Sequence, residues 1–250
     1  MIQGVIFDLG STLIRFTGDW PQVFTRSLEA LAEGLDQEGI SINPESFKQA
    51  FKSALSVYHR QRDHDLVEQT TEVVLIEILA DLIGEPPPRA AVKRALEGMY
   101  SVSQDYWHTL PTALPVLKNL DERGLRMGLI SNASDEADVQ RLIDKAGIRK
   151  YLQPILISAG FGLRKPHPDI FQAVLKEWDL PARDVVMVGD LLEADILGAE
   201  NVGMRHIWMT EVIDTGELQP PYVVEPDAVA HRLADVPAIL DSLDAKGKNS

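Results

Sequence analysis

The apolar run Gly-Val-Ile-Phe at residues 4–7 stops on a carboxylate, Asp8, and turns at once into Gly10-Ser11-Thr12. An aspartate at the carboxyl end of a buried strand stands where ligands of open α/β sheets bind. Such a carboxylate can attack a phosphoryl or carbon centre and form a covalent ester. Three further stretches have the same construction. Ser131-Asn132 follows the apolar run Leu125–Ile130, Lys165 lies in the loop Gly162-Leu163-Arg164-Lys165-Pro166, and Asp190 follows Val185–Gly189 with Asp195 five residues on. Together these are the parts of a phosphoryl-transfer site. Asp8 and Asp190 supply hard oxygen ligands for Mg²⁺, which takes one or two carboxylates, waters and a phosphate oxygen, and the Gly10 carbonyl adds another. The metal would offset the repulsion between an anionic nucleophile and an anionic phosphate. Ser131 has a hydroxyl to donate to an equatorial phosphoryl oxygen, with Asn132 beside it as a further substrate-binding group. Lys165 brings a compact positive charge to the same oxygens and to Asp8. Asp195 is placed with the metal set, where it would bind metal-bound water, or else hold Lys165.

For these groups to meet, the strands they follow must be parallel and adjacent. The strand-like runs are Gly4–Leu9, Leu125–Ile130, Pro154–Ser158, Asp184–Val188 and His206–Met209, with a short one at Asp227–Ala230. Helical patterns over Ala113–Arg123, Glu136–Ala146, Pro168–Trp178, Ala194–Val202 and Val236–Ala245 alternate with them. That alternation predicts a doubly wound, Rossmann-like parallel sheet covered on both faces. Between Phe16 and Thr109 there is no convincing strand. Amphipathic patterns there predict helices over Trp20–Glu38, Pro44–Arg62, Leu66–Ile83 and Arg89–Gln104, the last two separated by the Pro86–Pro88 break. The expected organisation is an α/β core of residues 1–16 and 109–250, with an all-helical cap, 17–108, inserted after the first strand.

The chain has 250 residues, 45% of them hydrophobic and 25% charged, as in an ordinary soluble globular protein. Its 38 acidic and 24 basic residues give a formal charge of −14. Such a surface repels nucleic acid and anionic lipid, so neither is an expected partner. An anionic substrate would need a local cluster of cation, metal and backbone amides. There are no cysteines, which excludes disulfides, zinc–thiolate sites and a thiol nucleophile. With no leader pattern and no apolar run long enough to span a bilayer, the expectation is a soluble cytoplasmic protein. The sequence leaves the oligomeric state open.

In order and spacing these motifs resemble those of haloacid dehalogenase superfamily hydrolases, in the phosphatase-like branch with a helical cap. The matching residues are Asp8 in Phe-Asp-Leu-Gly-Ser-Thr-Leu, Ser131 in Leu-Ile-Ser-Asn, Lys165 in Gly-Leu-Arg-Lys-Pro-His-Pro, and Asp190 with Asp195 in Val-Gly-Asp-Leu-Leu-Glu-Ala-Asp. The resemblance implies a Rossmann-like core, a mobile cap, Mg²⁺ dependence and an aspartyl-phosphate intermediate on a small phosphorylated substrate.

The chain departs from that pattern at Gly10, where phosphatases of the family usually carry a second aspartate that protonates the leaving group. General acid–base help of this kind contributes about 10²–10⁴-fold. Its loss disfavours a sugar-phosphate mutase. Asp190 and Asp195 disfavour a dehalogenase, whose haloacid carboxylate they would repel. The main expectation is a phosphatase whose leaving group needs little protonation, or whose acid is Ser11, Thr12, or a cap residue such as His59 or His64. The alternatives are a dehalogenase-like enzyme acting at carbon and a non-catalytic module that binds phosphorylated ligands. Arg60, Arg62 and His64 read as a solvated helix end or a recognition patch, His167 as a loop residue, and Trp178 and Trp208 as packing.

Overall fold

The computed structural model describes residues 1–212 and 224–247, without the side chains of His59, Asp63 and Lys246. His59, one of the donors considered above, therefore lies outside the described residues.

Six strands form one parallel sheet: β1 (Gly4–Phe7), β4 (Arg126–Ser131), β5 (Ile155–Ile157), β6 (Val185–Gly189), β7 (Arg205–Met209) and β8 (Ala228–Ala230), in the order β5-β4-β1-β6-β7-β8. β1 lies between β4 and β6, with Phe7 paired to Leu129 on one side and Val188 on the other. The apolar residues of β1 split by alternation. Val5 and Phe7 pack with α5 (Ala113–Glu122), α6 (Glu136–Ala146) and α10 (Val236–Gly247), whereas Ile6 packs with α8 (Pro168–Trp178) and α9 (Leu197–Asn201). Both faces are thus covered, which is why the strands read as continuous apolar runs rather than alternating ones.

Helices α1 (Trp20–Gln37), α2 (Pro44–Asp65), α3 (Thr71–Ile83) and α4 (Arg89–Gln104) follow the first strand and share their own core. Leu31, Phe47, Phe51, Leu75, Leu79 and Val92 are buried within it. Chain entry and exit are tied by a two-stranded antiparallel ribbon of β2 (Ile14–Phe16) and β3 (Trp107–Thr109), pairing Phe16 with Trp107. The sequence reading missed this ribbon, because three residues per strand are too few for a period-2 pattern.

Two helix boundaries also differ. The predicted Leu66–Ile83 helix starts only at Thr71, capped by the Thr70 hydroxyl, which accepts from Val73 N–H. Residues 66–70 instead run as a non-helical segment bridging to Leu163. The predicted Ala194–Val202 helix is a π-helical turn, Leu192–Ile196, leading into α9. Such turns are frequent at functional sites. No helix among the described residues is long and apolar enough to cross a membrane.

Candidate active site

The carboxyl ends of β1, β4 and β6 carry Asp8, Ser131 and Asp190 to one edge of the sheet, and all three residues are buried. Asp8 is fixed by its own N–H, which donates to the Val188 carbonyl on β6 (2.9 Å). Lys165, 2% exposed, reaches in from the loop before α8. Its Nζ donates to Asp8 Oδ1 (2.6 Å), Asp195 Oδ1 (2.6 Å) and the Ile130 carbonyl (2.8 Å). All three ammonium protons have acceptors, so the lysine is fixed in position as well as charge. Asn132 holds the lysine's backbone from both sides: its Nδ2 donates to the Lys165 carbonyl (2.9 Å) and its Oδ1 accepts from Lys165 N–H (2.8 Å). This employs the Asn132 amide in positioning Lys165, a role sequence reasoning did not give it.

Asp195 is fully buried, and both its oxygens are engaged: Oδ1 by Lys165 and Oδ2 by Leu191 N–H (3.0 Å). A β-carbon on Gly189 would come within 2.3 Å of the Asp195 carboxyl carbon, so only glycine lets this carboxylate lie against the strand end. The contact with Lys165 expected of Asp195 is therefore present.

A family model for haloacid dehalogenase-like hydrolases matches residues 2–203. The chain belongs to the haloacid dehalogenase-like hydrolase family. The glyceraldehyde 3-phosphate phosphatase of Pyrococcus abyssi is 26% identical over 208 residues, which is 83% of this chain and 81% of that protein. The ribulose-1,5-bisphosphate 5-phosphatase of Halopiger xanaduensis is 26% identical over 207 residues, covering 83% and 84%. Among solved structures, a 2-haloacid dehalogenase from Pseudomonas syringae pv. Tomato DC3000 superposes with a TM-score of 0.69 at 25% identity, over 97% of this chain and 99% of that one.

The electrostatics of this hydrolase's site are those of too many acids for one cation. Burial pushes the Asp8 carboxyl up to about 6, opposed by Lys165 and reinforced by Asp195. Burial also pushes Asp190 up to about 8, and the charges of Asp8 and Asp195 add to it. Burial works against the charge on Lys165, but Asp195 and Asp8 outweigh it and hold the ammonium protonated. Three buried carboxylates around a single ammonium leave an excess negative charge that a divalent cation would satisfy, so the donor set fits Mg²⁺. Among the described residues no three carboxylate or imidazole groups are spaced to hold a metal by themselves. The ion would therefore rest on Asp8, Asp190, the Gly10 carbonyl, waters and the substrate, the open coordination Mg²⁺ favours.

Other groups fall outside this cluster. His64 and Arg60 are exposed, and Arg62 lies over the Tyr58 ring at 5.5 Å. His167 caps α8, its Nδ1 accepting from Asp169 N–H (3.3 Å). Thr12 is fully buried. Both tryptophans do more than pack: the Trp178 Nε1–H donates to the Gln153 carbonyl (2.9 Å), and the Trp208 Nε1–H donates to the Asp190 carbonyl (2.9 Å) and anchors that residue's backbone. Nothing in the local sequence around Trp208 signals this.

Proposed function

We propose that this hydrolase is a Mg²⁺-dependent phosphatase acting on a small phosphorylated metabolite through an aspartyl-phosphate intermediate. The observation that carries the reading is Lys165 Nζ held 2.6 Å from Asp8 on a sheet edge that also bears Asp190. The phosphatase relatives, each matched over more than four-fifths of both chains, support it.

In this reading Asp8 attacks phosphorus in line. The new bond is Oδ–P, and the ester P–O bond breaks with its electron pair leaving on the alcohol oxygen. Lys165 keeps Asp8 oriented and, with the Ser131 hydroxyl, stabilises charge on the equatorial oxygens. Water then attacks phosphorus and restores the Asp8 carboxylate. Bound Mg²⁺ would supply Lewis-acid stabilisation of phosphate charge, held by Asp8, Asp190 and the Gly10 carbonyl, with Asp195 binding metal-bound water. Because Gly10 carries no acid, the departing oxygen leaves with little protonation, and activated leaving groups are favoured.

Residues 17–108 act as the cap and residues 1–16 and 109–250 as the core, the cap excluding bulk water and choosing the substrate. A cysteine-free chain of charge −14 suits a cytoplasmic enzyme whose partner is its substrate rather than nucleic acid. The test is a screen of phosphorylated metabolites and aryl phosphates with Mg²⁺ and with chelator. Mg²⁺-dependent phosphate release is expected. Halide release from haloacids, insensitive to chelator and without phosphate release, would overturn the reading, as would Mg²⁺-dependent ligand binding with no turnover.

A further inference from the structure

A further buried carboxylate reaches the core from the helical insert. Glu68 lies in the segment between α2 and α3, and its side chain is fully buried. Its Oε1 accepts from the Tyr58 hydroxyl. Its Oε2 accepts from the Ser158 hydroxyl (2.7 Å), with Arg164 Nη1 3.4 Å away. The backbone joins in. Glu68 N–H donates to the Gly162 carbonyl (3.0 Å), Arg164 N–H donates to the Leu66 carbonyl (3.0 Å), and Val67 bridges to Leu163. Three residues beyond Glu68, Thr71 N–H donates to the Ser134 carbonyl (2.9 Å).

The loops so gripped are those that carry the site. Arg164 directly precedes Lys165. Ser158 accepts from Ala133 N–H (2.9 Å), one residue past Asn132, which clamps the Lys165 backbone. A carboxylate is costly to bury unless every oxygen is met by donors and charge, and here the donors come from both the insert and the core loops. The pairing is therefore specific to the seated insert. A swing about the β2–β3 ribbon alone would pull Glu68 out of it.

We propose that Glu68 is a positioning residue. It braces the Ser131–Asn132 and Lys165 loops against each other and makes the lysine's placement depend on the seating of residues 66–71. The inference rests on the phosphatase reading for its kinetic consequence, but not for its structural one. Glu68→Gln removes the charge and replaces one of the two acceptor oxygens with a donor. In the full-length protein with Mg²⁺ and p-nitrophenyl phosphate, kcat is expected to fall about 10- to 100-fold with KM within about threefold, the signature of lost orientation rather than lost binding. Amide hydrogen exchange is expected to accelerate about tenfold or more in residues 131–134 and 158–165, while β1 and β6 stay protected. Ser158→Ala, which removes the hydroxyl joining Glu68 to Ala133 but leaves the Glu68 charge and its Tyr58 and Arg164 partners, serves if Glu68→Gln does not fold, with a smaller kcat loss and exchange faster in the same two loops. A lowered melting temperature with wild-type kcat and wild-type loop protection would overturn the proposal. If the unmutated protein hydrolyses no phosphate ester, the phosphatase reading falls. Loop exchange then decides alone: acceleration upholds the brace and unchanged protection ends it.

Discussion

The indole of Trp107 stands 3.6 Å from the point a β-carbon on Gly10 would occupy. That is ordinary van der Waals contact, and Gly10 is not among the glycines with left-handed backbone. A side chain at position 10 can therefore begin without strain. Gly10→Asp is expected to raise kcat on alkyl phosphates by about 100-fold, within the range of a restored general acid, and to change aryl phosphate turnover far less. Rates measured across leaving groups of graded pKa check this. The unmutated enzyme should show a steep dependence, and a flat one would defeat the idea that it lacks an acid.

Asp8→Asn should abolish turnover on every phosphate ester, because an amide cannot form the acyl phosphate. A purified, folded variant keeping a tenth of wild-type activity would remove Asp8 from the nucleophile's role. Lys165→Ala should cost about 10²–10³ in kcat, as for other preorganised charge donors. Circular dichroism would separate this from unfolding.

Gly189→Ala tests how Asp195 acts. The added methyl would fall within 2.3 Å of the Asp195 carboxyl carbon and must displace it from Lys165. A destabilisation of about 1–3 kcal/mol is expected from overpacking, together with a kcat loss of tenfold or more. A variant with wild-type kcat would mean that the Asp195 contact is not needed for the lysine's function.

Asp138 gives a pH-dependent stability signal away from the site. Burial pushes its carboxyl up to about 6, although Gln104 Nε2 donates to it at 2.7 Å. The folded pKa is raised, so its contribution is fully present below about pH 4 and is lost as pH rises through 6, where folding must carry a half-buried charge. Asp138→Asn keeps the acceptor without the charge. It should match the wild type near pH 4 and exceed it by about 1 kcal/mol at pH 8, after discounting for partial solvation. Denaturant melts at the two pH values measure the difference, and equal stabilities at pH 8 would contradict it.

The groups at the strand ends were legible because burial on both faces turns each parallel strand into an apolar run, and the first polar residue after it must lie at the sheet edge. That logic reaches Asp8, Ser131, Asn132 and Asp190 directly. It reaches Lys165 only through its loop. It fails at Glu68, which an apolar pattern from Leu66 to Ile83 absorbs into a helix. The Thr70 cap and the Asp65 side chain, whose Oδ1 accepts from Val67 N–H (3.0 Å), were the local signs that the helix breaks there.

What the sequence determined by itself is local and periodic: which segments are strands or helices, their alternation, and so which residue types share one edge. What only the tertiary structure decided is partnership between residues far apart in the chain. Asp195 holds the lysine with both oxygens in use, Trp208 pins the Asp190 carbonyl, and Glu68 lies under the lysine loop. The reason is physical. Spacing along a chain fixes the direction of a side chain relative to its own backbone, but the acceptor a buried donor finds depends on which distant loop packing brings within about 3 Å of it.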